Sequence, residues 1–329
     1  MKIAIVKLSA MGDIIHAMVA LQFIKESNPS IKIDWIVEEG FAKVLEGNPH
    51  IDNILPVNLK AIKKDKKQFF TQINTVKKYA YNHYDLVIDA QGLLKSAIVA
   101  KLLGQNRAGF SKKSIREGVA AYFYAHKVEI AYEKNVIERN IKVICEPLDL
   151  TISKEKILNK EKFLYYGTSK KLPIKIENYI VFVVGASIEN KIYPKEKFLE
   201  VAKYLNETIL VIWANNYEKE VAMYLDKSLK NVVACPKLNL DELKRVIAES
   251  KIVIGGDTGP THMAWALNVP SITLFGNTPE YRNTYLTNIN KVLKSNSIVN
   301  PLKLDKNDYS IKEINPNEIT TLAKELLNV

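Results

Sequence analysis

The chain has 329 residues, 47% hydrophobic and 25% charged, with a formal net charge of +11 at pH 7. This describes a globular protein long enough for two α/β domains of roughly 150 residues each, and no apolar run approaches the roughly 20 residues that would cross a bilayer. Cys145 and Cys235 are too few and too far apart for a disulfide scaffold or a cysteine-based metal site, and the basic excess points to an anionic partner: nucleic acid, an acidic membrane face or a phosphorylated small molecule.

The opening MKIAIVKLSAMGDIIH reads as a first strand and turn rather than a signal peptide, so the cytoplasm is the expected location. Lys2 to Leu8 is apolar and β-branched, a buried strand, and Met18 to Ile24 carries apolar residues at helical spacing. Between them the glycines of a GxGxxG dinucleotide fingerprint are missing, which argues against a plain nicotinamide-binding domain. Asp13 falls where a doubly wound domain opens its ligand crevice, outside a strand's carboxyl end. Position alone leaves open whether it faces a ligand or caps the following helix. Strands over 31–37, 54–57 and 84–89 and a helix over 69–81 continue the alternation, which predicts a parallel sheet covered by helices on both faces. Two basic loops interrupt it. One holds Lys60, Lys63, Lys64, Lys66 and Lys67, and the other Arg107, Lys112, Lys113 and Arg116. Either is a solvated face or meets an anionic ligand, and the second, after the strand ending at Asp89, is the better placed. A helix over 135–146 leads to a lysine-rich stretch of weak periodicity, taken as the linker at about 147–175 between domains 1–160 and 161–329.

The second domain restarts with the apolar strand 179–184, followed by Gly185-Ala186-Ser187 and then Lys191. A strand over 209–213 runs into Glu218, which either complements the dipole of its own helix or, as a carboxylate at a strand end, holds ribose hydroxyls. A short strand at 232–234 and a helix over 241–248 precede the stretch from Ser250 to Gly276. There Ile252-Val253-Ile254 predicts a buried strand, Gly255-Gly256 a tight turn, and Asp257-Thr258 the start of a helix with Pro260 in its first turn. Amides at Thr258, Gly259 and Thr261 then point at an anion, reinforced by the helix dipole; the plainer reading is an ordinary βαβ turn. Together the three strand ends suggest phosphate, ribose and phosphate contacts without a P-loop, since GxxxxGK[ST] is absent. The histidines at 16, 50, 83, 126 and 262 show no metal-binding spacing, so no metal and no cofactor are expected. The final helix is expected over 317–327.

The motifs Ser9-Ala10-Met11-Gly12-Asp13-Ile14-Ile15-His16 and Gly256-Asp257-Thr258-Gly259-Pro260-Thr261-His262 resemble those of the bacterial lipopolysaccharide heptosyltransferases of glycosyltransferase family nine. The resemblance spans essentially the whole chain. The M-G-D-I-I-H form is most similar to the type I enzymes, which add the first heptose to the Kdo of lipid A, whereas types II and III share only the late motif. It implies the GT-B fold, two Rossmann-like, doubly wound α/β domains facing across a cleft, with acceptor mainly on the first domain and nucleotide sugar on the second. It also implies closure of the domains on ligands, with the hinge expected in the linker, and a last helix that crosses back to the first domain. Asp13 matches the family's general base and Lys191 its phosphate-neutralising lysine, the two catalytic positions. Ser187, Glu218, Leu238, Asp257, Thr258, Gly259, Pro260, Thr261 and His262 fall on donor contacts, and Gly12, His16, Lys64 and Arg116 are acceptor candidates. Ala186 departs from relatives that carry a second hydroxyl residue there. The implied partners are ADP-L-glycero-β-D-manno-heptose, Kdo-lipid A and the anionic cytoplasmic face of the inner membrane of a Gram-negative bacterium, with the protein attached peripherally.

Three rivals remain. A second heptosyltransferase type would act on an already heptosylated core. A nucleic-acid-binding protein accounts for the charge, but the basic loops carry few aromatics and no binding signature. A nucleotide-sugar binder without catalysis is opposed by the intact Asp13.

Overall fold

The computed structural model describes residues 1–167 and 172–328; residues 168–171, inside the expected linker, and residue 329 lie outside the described residues. The chain divides into two compact units, Met1–Tyr165 and Tyr166–Val329.

The first unit has six strands: β1 (Lys2–Val6), β2 (Lys32–Glu38), β3 (Asn53–Val57), β4 (Leu86–Asp89), β5 (Arg107–Phe110) and β6 (His126–Val128). They form one sheet in the order β3-β2-β1-β4-β5-β6, with every pairing parallel. Ile3, Ala4, Ile5 and Val6 are fully buried, as a strand with helices over both faces must be. The strand order reverses between β1 and β4, where Val6 pairs with Asp89. The carboxyl ends of these two strands therefore flank the crevice at which doubly wound sheets take ligands.

The second unit repeats the plan with β7 (Tyr179–Val183), β8 (Thr208–Ile212), β9 (Val232–Ala234), β10 (Ile252–Gly256), β11 (Ser271–Phe275) and β12 (Asn290–Lys294). Its order is β12-β11-β10-β7-β8-β9, again all parallel. Numbered within the unit this is the same succession, and the reversal falls between β7 and β10. A Cβ on Gly255 would lie 2.5 Å from Val183 Cβ and 2.8 Å from Val183 O, so the glycine lets the two switch-point strands close at their carboxyl ends.

Two expectations change. Arg107, placed by sequence in an irregular loop, begins β5, and both β5 and β6 are too short to announce themselves; β12 was likewise not foreseen. Much of the expected linker is ordered structure of the first unit: a helix spans Lys154–Leu158, and Ile157, Phe163 and Leu164 are buried. The last helix, Pro316–Leu327, gives Ile319, Ala323 and Leu326 to the core of the second unit, beside Ile180, Phe198 and Ile272.

Candidate active site

In the first unit the loop after β1 delivers Asp13 to the third position of the helix Met11–Met18. One oxygen, Oδ2, accepts the Ala10 amide at 3.1 Å, which closes the helix start from the inside. The carboxylate is half-buried and retains acceptor capacity toward solvent. The helix-capping reading of Asp13 is thus seen directly, and its position at the switch point leaves the carboxylate accessible. The loop is pinned from β4. Gln91 Oε1 accepts the amides of Leu8 (3.0 Å) and Ser9 (3.1 Å), and the buried Lys7 ammonium donates to Ala90 O (2.9 Å) and Asn140 Oδ1 (3.1 Å). Asp89 lies beneath, accepting from Tyr124 Oη at 2.6 Å and from the amides of Gln91 and Gly92. Burial pushes its carboxyl above the ordinary range against the pull of those donors. His16, offered by sequence as an acceptor contact, is 3% exposed on the inner side of the Asp13 helix. Helical spacing explains its burial, because the apolar face of this helix includes that position. Gly12 stays half-buried beside Asp13.

In the second unit β10 ends in Gly256 and hands the chain to Asp257, the most heavily bonded side chain of the site. Its Oδ2 accepts from Lys191 Nζ at 2.7 Å, Thr278 Oγ1 at 2.9 Å and Asn283 Nδ2 at 3.0 Å, while Oδ1 hydrogen-bonds His262 Nε2 at 3.0 Å. Burial opposes its charge, but the His262 bond and the Lys191 ammonium outweigh it and hold the carboxyl far below its usual range. Asp257 is thus a fixed anion. Thr258 is the N-cap of the helix Gly259–Ala266, although its side chain makes no capping bond. Thr261 Oγ1 donates instead to Gly256 O at 2.7 Å. The first intrahelical bond runs from the His262 amide to Thr258 O at 3.1 Å, which leaves the amides of Gly259 and Thr261 outside the ladder, and Pro260 has none to offer. This is a helix start open to an anion at the carboxyl end of the sheet.

Lys191 sits at the end of a short 3-10 turn, Glu189–Lys191, with its side chain 16% exposed, so its ammonium is held by Asp257 yet reaches the surface. Ser187 is exposed just before it. Glu218 lies in the first turn of the helix Asn216–Ser228; its Oε2 accepts the Ala214 amide at 2.6 Å and its Oε1 the Asn215 side-chain amide at 2.7 Å. Glu218 thus closes the start of its own helix, where its charge also complements the dipole. The same carboxyl group lies so close to Gly185 that a Cβ there would overlap it and come within 2.6 Å of Glu218 Cγ. It therefore overhangs the end of β7 as well. Leu238 is half-buried one residue before Asn239, the N-cap of the helix Leu240–Ala248.

The basic loops divide by role. The Arg107 guanidinium donates to Phe123 O (2.6 Å) and Gly104 O (2.7 Å), a brace within the unit. Lys64, Lys112, Lys113 and Arg116 are exposed, and Arg116 lies 5.1 Å above the Tyr132 ring. Among the described residues no group of three or more His, Cys, Asp or Glu side chains is placed to hold a metal ion. Both cysteines are buried, and burial pushes each thiol up to about 12. Thr278 and Asn283 escaped the sequence reading altogether. The available signal was the Gly276-Asn277-Thr278 turn at the end of a strand paired with β10, at the same edge of the sheet as Asp257.

Comparison with known proteins gives a consistent picture. The model of glycosyltransferase family 9 (heptosyltransferase) matches residues 74–308. A lipopolysaccharide heptosyltransferase 1 of Campylobacter coli is 40% identical, with 99% of each chain covered. Among solved structures, Escherichia coli heptosyltransferase WaaC with ADP superposes with a TM-score of 0.84 at 27% identity, covering 99% of this chain and 100% of that one. The same enzyme with ADP-2-deoxy-2-fluoro heptose gives a TM-score of 0.82 at 27% identity, with 99% of each chain covered. The two Rossmann-like units are accordingly those of a GT-B enzyme.

Proposed function

Since the chain belongs to glycosyltransferase family 9, the heptosyltransferases, we propose that it adds L-glycero-D-manno-heptose from ADP-L-glycero-β-D-manno-heptose to the Kdo of Kdo-lipid A. It is an inverting heptosyltransferase of lipopolysaccharide core synthesis, closely related to the type I enzymes. The observation that carries the acceptor assignment is the identity of 40% with a type 1 enzyme along 99% of both chains.

In this reading Asp13 takes the proton from an acceptor hydroxyl as that oxygen forms a bond to the anomeric carbon of the heptose. The bond from that carbon to the β-phosphate oxygen breaks in line, its electrons leave with ADP, and the configuration inverts. The charge that develops on ADP meets the Lys191 ammonium, the open amides of Gly259 and Thr261 and the helix dipole. Asp257 holds Lys191 and is itself kept ionised by its donors, with His262 on its other oxygen. Thr258 and Pro260 shape the turn, Ser187 touches phosphate, Glu218 receives the ribose hydroxyls and Leu238 packs on adenine. Lys64 and Arg116 meet the anionic groups of the acceptor. The exposed lysines also favour the anionic cytoplasmic leaflet, at about 1 kcal/mol for each well-placed basic side chain, and among the described residues no helix is long and apolar enough to cross a membrane.

The test is a transfer assay with purified protein, ADP-heptose and Kdo-lipid A in the presence of EDTA, scoring ADP release and glycosylated product. Product under these conditions is the expected result. Transfer only to an already heptosylated core would move the protein to another heptosyltransferase type.

A further inference from the structure

The segment that follows β11, from Gly276 to Asn283, belongs to none of the motifs that mark the site in sequence. Two of its side chains nevertheless end on Asp257. Thr278 Oγ1 and Asn283 Nδ2 reach Oδ2 at 2.9 and 3.0 Å, the same oxygen that receives Lys191 Nζ at 2.7 Å. Thr278 is 3% exposed, so its hydroxyl has no solvent to turn to. The segment is anchored from behind: a Cβ on Gly276 would lie 2.7 Å from both Ile311 Cβ and Ile311 N, and Asn277 Nδ2 donates to Asp305 O at 3.3 Å. A carboxylate oxygen that accepts three donors, with its partner oxygen taken by His262 at 3.0 Å, cannot turn about its Cβ–Cγ bond without breaking several bonds together. An ammonium carries three N–H donors. With one fixed on this carboxylate, the directions of the other two are fixed as well.

We propose that Thr278 and Asn283 are positioning residues for the transfer reaction, setting the Asp257 carboxylate so that Lys191 meets the departing phosphate. The inference rests on the reading of Lys191 as the leaving-group contact. Neither residue touches the reacting atoms; both act through Asp257. Stabilisation of charge that appears only in the transition state depends on preorganised direction more than ground-state binding does. The loss on removing either donor therefore falls on kcat rather than on the KM for ADP-heptose.

The experiment is a double-mutant cycle on ADP release from ADP-heptose with Kdo-lipid A as acceptor, with the wild-type rate as baseline and thermal denaturation as a check on folding. Thr278→Val and Asn283→Leu are each expected to lower kcat about 10-fold, the weight of one hydrogen bond to a charged group. ADP affinity should change less than about 2-fold, and Thr278→Ser should keep near wild-type turnover. In a Lys191→Gln background, which retains a donor to Asp257 but not the charge, either substitution should cost less than about 2-fold more. A merely structural role would give the same factor in both backgrounds, and that result, or wild-type turnover in both single variants, would overturn the proposal. Asn283→Leu gives an independent reading should Thr278→Val not fold. A wild-type protein that releases no ADP would instead refute the functional assignment beneath it.

Discussion

Gly185→Ala separates catalytic architecture from stability in one atom. A Cβ at this position overlaps the Glu218 carboxyl group, so the side chain must swing away and surrender the Ala214 amide at 2.6 Å and the Asn215 side-chain amide at 2.7 Å. Hydrogen bonds to a charged group are worth about 1.5–3 kcal/mol each when buried, but this carboxylate is half-exposed and water replaces much of what it loses. A net cost of about 1–2 kcal/mol follows, and alanine returns about 0.4–1 kcal/mol by restricting the unfolded chain. Thermal stability is thus expected to stay close to wild type. Binding is not. With Glu218 in its proposed role, two ribose hydroxyls deprived of their acceptor at about 1 kcal/mol each amount to about 2 kcal/mol, roughly 30-fold in Kd. Titration calorimetry with ADP on Gly185→Ala, Glu218→Ala and the double variant is the assay. The two single variants should weaken ADP alike, and the double should be no weaker than Glu218→Ala within about 2-fold. Equal losses from Gly185→Ala with and without Glu218 would refute the reasoning, because the glycine would then matter for something other than that carboxylate.

Asp13→Asn preserves size and leaves a side-chain oxygen to accept the Ala10 amide, so ADP affinity should hold while turnover drops by roughly 100-fold or more, the scale of a general base; equal losses in binding and turnover would make the residue structural. Asp89 gives a pH test with a definite sign. Its folded-state carboxyl is raised above the ordinary 3.8 by burial, so the folded state binds the proton more readily, and the stability this contributes is present below that value and lost as pH rises through the folded value. Urea titrations from pH 4 to pH 7 should show wild type losing stability relative to Asp89→Asn as pH rises. A difference that grows in the opposite direction would mean that the Tyr124 and amide donors outweigh desolvation.

The strands at the centre of each sheet were legible because their sequences state their environment. KIAIV and YIVFV are apolar at every position but one or two, as burial on both faces demands, and the glycine pair that ends β10, IVIGG, marks where the backbone must close. Edge elements were not legible. RAGF and HKV are four and three residues long, and NKVLK alternates with lysine, which reads as surface until its pairing with β11 is seen. The Asp257 cluster shows a different limit. Its members come from positions 191, 257, 262, 278 and 283, joined only by the parallel register of β7, β10 and β11. Lys191 and His262 could be named because they fall in recognisable motifs. Thr278 and Asn283 could not, since a threonine before a proline and an asparagine ending a four-residue helix are ordinary turn chemistry in a linear reading.

Each unit places an aspartate near the carboxyl end of a switch-point strand, and the surroundings assign the two opposite work. Among the described residues Asp13 has one protein donor, the Ala10 amide at 3.1 Å, and it stays half-buried, so it keeps lone pairs for the proton that the proposed mechanism brings to it. Asp257 has four donors and almost no exposure, so protonating it means breaking a network that includes an ion pair of 2.7 Å. A base must accept a proton during turnover; a fixed counter-charge must not. On the proposed function, the helix start beside Asp257 resolves what would otherwise be a contradiction, a permanent anion next to a pyrophosphate site. Asp257 directs its charge to Lys191 and His262, and in this reading the ligand would meet amides and the remaining N–H groups of a lysine held by that carboxylate. In the proposed mechanism the same residue type, beside the switch point of each sheet but after non-equivalent strands, β1 and β10, serves once as proton acceptor and once as scaffold, and the count of donors around it separates the two.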